Sequence, residues 1–159
     1  MSIFGTDGIR GRAGEGLLSM DSVEAIGRSL ASLLHDRGDF PLDIGPERGT
    51  AVYIGRDTRE SGPELLVQLS RGFLSAGLDV CDLGILPTPG IAEVARSSEE
   101  CCLAIVLSAS HNPAHDNGIK LISAAGSKIS DQLEEEVSRR FDSGASAQAP
   151  QPGTLRDIS

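Results

Sequence analysis

Four short apolar runs, at 51–54, 78–83, 103–107 and 117–122, alternate along this chain with four amphipathic segments. No other feature restricts the fold so severely. A strand, a covering helix and a return strand join in a right-handed crossover, so repeated alternation predicts an α/β three-layer sandwich: a mostly parallel mixed sheet with helices on both faces. The run at 103–107, Leu-Ala-Ile-Val-Leu, lacks polar alternation, as in a strand covered on both sides.

The amphipathic segments are legible in detail. Val23, Ile26, Leu30, Leu33 and Leu34 recur at helical spacing over 21–36, with Asp21 and Glu24 expected as a capping pair and Gly38 past the end. Ser61 and Glu64 form a second capping pattern, continued by Leu65, Leu66, Leu69 and Phe73 to Gly77. Thr88 and Pro89 suit the cap and first position of a third helix running to residue 96. Ser130 caps a fourth over 130–141, where Leu133, Val137 and Phe141 share a face, acidic residues open the helix and Arg139 and Arg140 close it. Residues 39–50 mix turn formers with charge and read as a surface excursion, and 142–159 is rich in Ser, Ala, Gln, Pro and Gly, a linker-like composition.

With 159 residues the chain is long enough for one buried core, which 3% aromatic content leaves to aliphatic residues. A net charge of −9 argues against a nucleic-acid partner, since holding a polyanion requires a continuous basic surface. No apolar run approaches the roughly 20 residues of a membrane span, so no membrane association is expected and the reading is cytoplasmic. Cys81, Cys101 and Cys102 are odd in number and lack CxxC spacing, so reduced structural thiols are expected rather than a disulfide framework or zinc ribbon.

Ligands of such sheets gather at the carboxyl ends of strands, where three polar or glycine-containing loops fall: GRDTR at 55–59, GILPTPG at 84–90 and SASHNP at 108–113. The last of these ends a buried strand with a hydroxyl, an imidazole and an amide, groups that are costly in a core unless satisfied or used. A hydroxyl at Ser110, on the rim of the sheet, could accept a phosphoryl group, whose dianionic charge calls for positive neighbours. His111, Lys120, Arg10 and Arg12 are candidates to supply them, and Lys120 is one of only two lysines in the chain. Taken alone, Ser110 beside His111 equally describes a polar turn. The glycine-rich FGTDGIRG at 4–11 equally describes a turn or an anion-approaching backbone, and GRDTR a solvated loop with an internal Arg–Asp pair. A serine hydrolase lacks support because no Gly-x-Ser-x-Gly elbow is present. His111 and His115 have i, i+4 spacing, but Pro113 between them breaks the helix that a zinc pair would need.

FGTDGIRG, GRDTR and SASHNP followed by DNGIK at 116–120, in that order, resemble the alpha-D-phosphohexomutase family, from residue 3 to residue 141. The opening motif with DNGIK is more similar to its phosphoglucosamine mutase branch than to the phosphomannomutase and phosphoglucomutase branches, which remain alternatives beside a non-catalytic interaction module of the same fold. The resemblance implies interconversion of glucosamine 6-phosphate and glucosamine 1-phosphate through a bisphosphorylated sugar. Ser110 would carry the phosphoryl group and offer one ligand to Mg2+; Lys120, His111 and Arg10 would handle protons and charge; Arg12, Arg56 and Arg59 are weaker candidates that support the loops. It also implies a division into residues 1–141, a phosphoserine-bearing first domain, and 142–159, a tail leading toward a second domain. The partners would be a sugar phosphate and the remaining domains of a longer enzyme. No Asp-x-Asp-x-Asp run is present, so the other metal ligands would lie in another domain and this chain alone is expected to lack useful mutase activity.

Overall fold

A computed structural model describes residues 2–36 and 49–159. Most of the excursion at 39–50 therefore lies outside the described residues. Among those described, six strands form one sheet: β1 (Ile9–Arg12), β2 (Ala51–Arg56), β3 (Asp79–Ile85), β4 (Cys101–Leu107), β5 (Asp116–Ser123) and β6 (Leu155–Asp157), in the order β1-β5-β4-β2-β3-β6. The pairs β4/β2, β2/β3 and β3/β6 are parallel; β4/β5 and β5/β1 are antiparallel. Four α-helices cover it: α1 (Met20–His35), α2 (Gly62–Leu74), α3 (Thr88–Ser97) and α4 (Asp131–Ser143). The three-layer architecture expected from the alternation is the one observed.

Period-two alternation divides the strand side chains between two cores. Val52, Ile54, Leu103, Ile105, Leu107, Ile119 and Leu121 pack with α1, α2 and α4. Tyr53, Ala104, Val106 and Ile122 meet Ile91 and Ala95 of α3 on the opposite face. The α1–α2 crossing is close because glycines face each other. A Cβ on Gly72 would lie 2.3 Å from the Arg28 nitrogen and 2.7 Å from Gly27 Cα, and one on Gly27 would lie 2.3 Å from the Leu69 carbonyl oxygen. The helices thus pack backbone to backbone, between the fully buried Ile26 and Leu30 of α1 and Leu69 and Phe73 of α2.

Three of the four expected caps differ. Helix α1 starts from Ser19, whose hydroxyl accepts from the Ser22 amide, while Glu24 pairs with Arg28 one turn on instead of closing a box with Asp21. Ser61 precedes α2 in a helical rather than extended conformation, which turns its hydroxyl away from the helix amides; it accepts instead from Asn117 Nδ2 at 2.8 Å. Helix α3 begins at Thr88 itself, with Pro87 in the cap position. Ser130 caps α4 as expected, accepting from the Leu133 amide. Arg140, however, turns inward and donates to Glu136, to Asp36 and to the hydroxyl of Ser32, tying α4 to α1.

Strands β1 and β6 carry no apolar alternation and escape a reading by periodicity. Within the linker-like stretch, Leu155, Arg156 and Asp157 pair with Val80, Cys81 and Asp82. Arg156 Nη2 also donates to Glu100 Oε1 at 3.0 Å and to Cys81 Sγ at 3.2 Å, and Tyr53 donates its hydroxyl to the same carboxylate oxygen at 2.9 Å. All three cysteines are buried, and no disulfide joins them among the described residues. Burial pushes the Tyr53 phenol from 10.0 up to about 12 and the Cys81 thiol from 9.0 up to about 11. Both groups hold their protons more tightly when folded, so the unfolded chain releases them first and stability falls as pH rises through this range. Tyr53→Phe is expected to flatten the fall in the thermal midpoint between pH 10 and about 12 relative to the unmodified protein. Parallel midpoint–pH curves would contradict it.

Candidate functional site

The carboxyl ends of β2 and β4 and the start of β5 lie at one edge of the sheet, and the loop at 108–115 joins the last two. Ser110, in that loop, is exposed, with φ at +53°, the one non-glycine positive φ among the described residues. The left-handed region crowds Cβ against the backbone by about 1–2 kcal/mol for an L-residue, so surrounding bonds must hold Ser110 there. Those bonds come from every side. Its amide donates to Ser108 Oγ at 3.1 Å, its carbonyl accepts from Arg59 Nη2 at 3.0 Å, and its hydroxyl accepts from Arg10 Nη2 at 3.3 Å.

Arg10 reaches Ser110 from β1, the strand that a glycine-rich turn was expected to occupy. Ile9 through Arg12 pair antiparallel with β5, which sets Arg10 opposite Gly118. A Cβ on Gly118 would stand 2.5 Å from the Ser108 carbonyl oxygen and 3.1 Å from Arg10 Cγ. The guanidinium therefore reaches the serine across a position that has no side chain. Among the described residues Arg10 Nε is buried without a hydrogen-bond partner, and Asp7 lies 3.8 Å from Nη2. A buried donor with nothing to donate to favours an anion in its vicinity.

The other predicted residues are distributed unevenly. Lys120 sits half-buried on β5 opposite Val106, and His111 is exposed on the loop; among the described residues neither makes a hydrogen bond or ion pair with a side chain or with Ser110. Arg12 is exposed and pairs with Glu15. Arg56 is committed to Asp82 at 2.8 Å, away from the serine. Arg59, ranked with the weaker candidates, proves central to the loop: besides Ser110 it donates to the carbonyls of Asn112, Pro113 and Asp116. Asp57 and Ser108 were not singled out. Asp57 Oδ2 accepts both Arg59 Nε at 3.1 Å and the Ser108 hydroxyl at 2.7 Å. Their signal was available, since each is a polar residue directly after a buried strand.

Beside the serine lies an open hollow of about 790 Å³, lined by Asp57, Arg59, Ser110, Asn112 and His115 among others. It is large enough for a phosphorylated sugar. Among the described residues no group of three His, Cys, Asp or Glu side chains could hold a metal ion. A phosphate on Ser110 would present hard oxygen donors of the kind Mg2+ takes, so a phosphorylated chain would offer such an ion the phosphoserine oxygens. No described helix is long and apolar enough to cross a membrane.

Comparison with known proteins agrees with the fold. A model of the phosphoglucomutase/phosphomannomutase family, alpha/beta/alpha domain I, matches residues 1–148. The chain is 44% identical over 139 residues to a phosphoglucosamine mutase of Dechloromonas aromatica, covering 87% of this chain and 30% of that protein. It is 42% identical over 156 residues to a phosphoglucosamine mutase of Aromatoleum aromaticum, covering 98% and 34%. Among solved structures it resembles a phosphoglucomutase/phosphomannomutase family protein from Burkholderia thailandensis, with a TM-score of 0.75 and 30% identity over 94% of this chain and 31% of that one. A putative phosphomannomutase from Thermus thermophilus also gives 0.75, at 26% identity over 100% and 34%. The chain thus spans about a third of the length of the relatives it matches.

Proposed function

Because this chain belongs to the phosphoglucomutase/phosphomannomutase family, as its alpha/beta/alpha domain I, we propose that Ser110 carries and transfers a phosphoryl group in the interconversion of glucosamine 6-phosphate and glucosamine 1-phosphate. The observation that supports this reading most is Ser110 itself: exposed, held at positive φ, with the Arg10 guanidinium on its hydroxyl. Mutase relatives named for glucosamine phosphate favour that sugar over mannose or glucose.

In the first half-reaction the bond from phosphorus to Ser110 Oγ breaks as a bond to the sugar 1-oxygen forms. The proton leaving the sugar hydroxyl ends on Oγ, which restores the serine. In the second half the bond from phosphorus to the sugar 6-oxygen breaks as a bond to Ser110 Oγ forms, and the proton leaving Oγ ends on the 6-oxygen. Arg10 neutralises the phosphoserine through Nη2. Lys120 and His111, free of competing ion pairs among the described residues, are assigned the sugar proton, by direct transfer or as counter-charge. Bound Mg2+, with phosphorylated Ser110 as its ligand from this chain, would offset charge on the transferring group.

Positioning accounts for much of phosphoryl-transfer catalysis, and this chain supplies one wall of the site, so by itself it is proposed to turn over no sugar phosphate. The test replaces the matching third of the Dechloromonas aromatica protein with this chain. The chimera should convert glucosamine 6-phosphate to glucosamine 1-phosphate and carry phosphate on Ser110 by intact mass and peptide mapping. A folded chimera that never carries phosphate on Ser110 would sink the reading.

A further inference from the structure

Arg59 resembles a substrate-binding arginine in its place beside the hollow, yet its hydrogen bonds exclude that role. A guanidinium has five N–H donors in a fixed planar fork. Here Nε donates to Asp57 Oδ2, Nη1 to the carbonyls of Pro113 and Asp116, and Nη2 to those of Ser110 and Asn112. Five donors meet five acceptors, and none is left for an incoming phosphate. The side chain is only 10% exposed, which agrees with an internal fastener.

The acceptors have one thing in common: apart from Asp57, each is a main-chain oxygen of the segment 110–116. Among the described residues main-chain amides serve only two of that segment's carbonyls, Pro113 O from Asp116 N and His115 O from Ala13 N, so those of Ser110, Asn112 and Asp116 depend on Arg59. Asp57 closes the arrangement. It aims Arg59 through Nε and through the Arg59 amide, and it orients the Ser108 hydroxyl, which accepts from the Ser110 amide. Ser110 is thereby gripped on both sides of its Cα, at N–H through Ser108 and at C=O through Arg59.

We infer that Arg59, aimed by Asp57, is a positioning residue that fixes Ser110 in the left-handed conformation and so presents its hydroxyl to Arg10. This rests on the phosphoryl-carrying role of Ser110 for its catalytic meaning, but the conformational claim stands apart from it. Lysine is the decisive substitution. It keeps the charge, yet three donors on one ammonium cannot span four carbonyls and a carboxylate.

The test is made on the 159-residue chain. Backbone chemical shifts and couplings of Ser110 report its positive φ, and amide exchange at Asn112 and Asp116 reports the turn bonds inside the loop. In Arg59→Lys and Arg59→Gln alike, the positive-φ signature should vanish and exchange at those two amides should rise about tenfold or more, with β4 amides unchanged. Retention of the signature in Arg59→Lys, with exchange within about twofold of the unmodified chain, would overturn the inference and make Arg59 a simple counter-charge. Should both variants fail to fold, Asp57→Asn decides: it leaves the guanidinium in place but loosens its aim, and must shift the same signals in the same direction. In the chimera, Arg59→Lys should slow phosphoryl loading of Ser110 about tenfold. A chimera that loads no phosphate, with the signature lost in Arg59→Lys, refutes the transfer role and leaves the positioning role intact.

Discussion

Ser110→Gly is expected to abolish phosphoryl loading at this position while leaving the fold as stable as before, to within about 1 kcal/mol. The two halves of that result have separate causes. Removing the hydroxyl removes the acceptor of the phosphoryl group, and the adjacent Ser108 hydroxyl is spent on Asp57. Glycine adopts positive φ without the Cβ penalty, so the strain at +53° is relieved at about the same magnitude as the chain entropy gained by the unfolded state. Ser110→Ala is the informative partner, because it removes the same oxygen but keeps the strain. Glycine should therefore be at least as stable as alanine here, the reverse of their order in a helix. The measurement is the mass of the chimera after loading, together with the denaturation midpoint of each variant. Phosphate persisting on the glycine variant's loop would place the carrier elsewhere, and a glycine variant clearly less stable than alanine would mean that Ser110 is not held left-handed.

Gly72→Ala is expected to destabilise the protein by about 3 kcal/mol or more, lowering the thermal midpoint by roughly 6–12 °C. Helix propensity alone argues the other way, since alanine is favoured over glycine in a helix interior by about 1 kcal/mol. Geometry decides the sign. The added methyl would stand 2.3 Å from the Arg28 nitrogen and 2.4 Å from the Gly27 carbonyl carbon, main-chain atoms that no rotamer change can move. Relief requires α1 and α2 to separate, which opens gaps around Phe73, Leu69 and Ile26, all fully buried. Gly90 in α3 is the control. Its nearest neighbours to an added Cβ are side-chain carbons at 3.7–3.8 Å, so Gly90→Ala meets only ordinary contact and should be neutral or slightly stabilising. Equal effects at positions 72 and 90 would show that the crossing is looser than described.

The elements legible in the sequence were those whose burial follows a period. The four helices and the strands β2 to β5 announce themselves through apolar recurrence, and each lies within a few residues of its expected bounds. Strand β1 did not, because Ile9, Arg10, Gly11 and Arg12 put a single buried apolar side chain on an edge strand, and its glycines read as a turn. Strand β6 did not, because all three of its residues are exposed and its place is fixed by main-chain pairing to β3 and by Arg156. The Ser110 loop was legible by resemblance in its motif and by chemistry in its position at a strand end. The role of Arg59 was not, since nothing in GRDTR tells a guanidinium that faces solvent from one that closes on four carbonyls 51 to 57 residues away.

The contact between Arg10 and Ser110 spans 100 residues of chain. Closing so long a loop carries a large entropic cost, and β1 contributes little apolar burial to offset it, so docking of this edge strand belongs late in the folding sequence, after the parallel core of β2, β3 and β4 exists. Until then the serine loop stands without its guanidinium. If Ser110 carries phosphate as proposed, a half-assembled chain is kept chemically idle, and readiness to handle phosphate becomes a marker that the amino-terminal segment has come home.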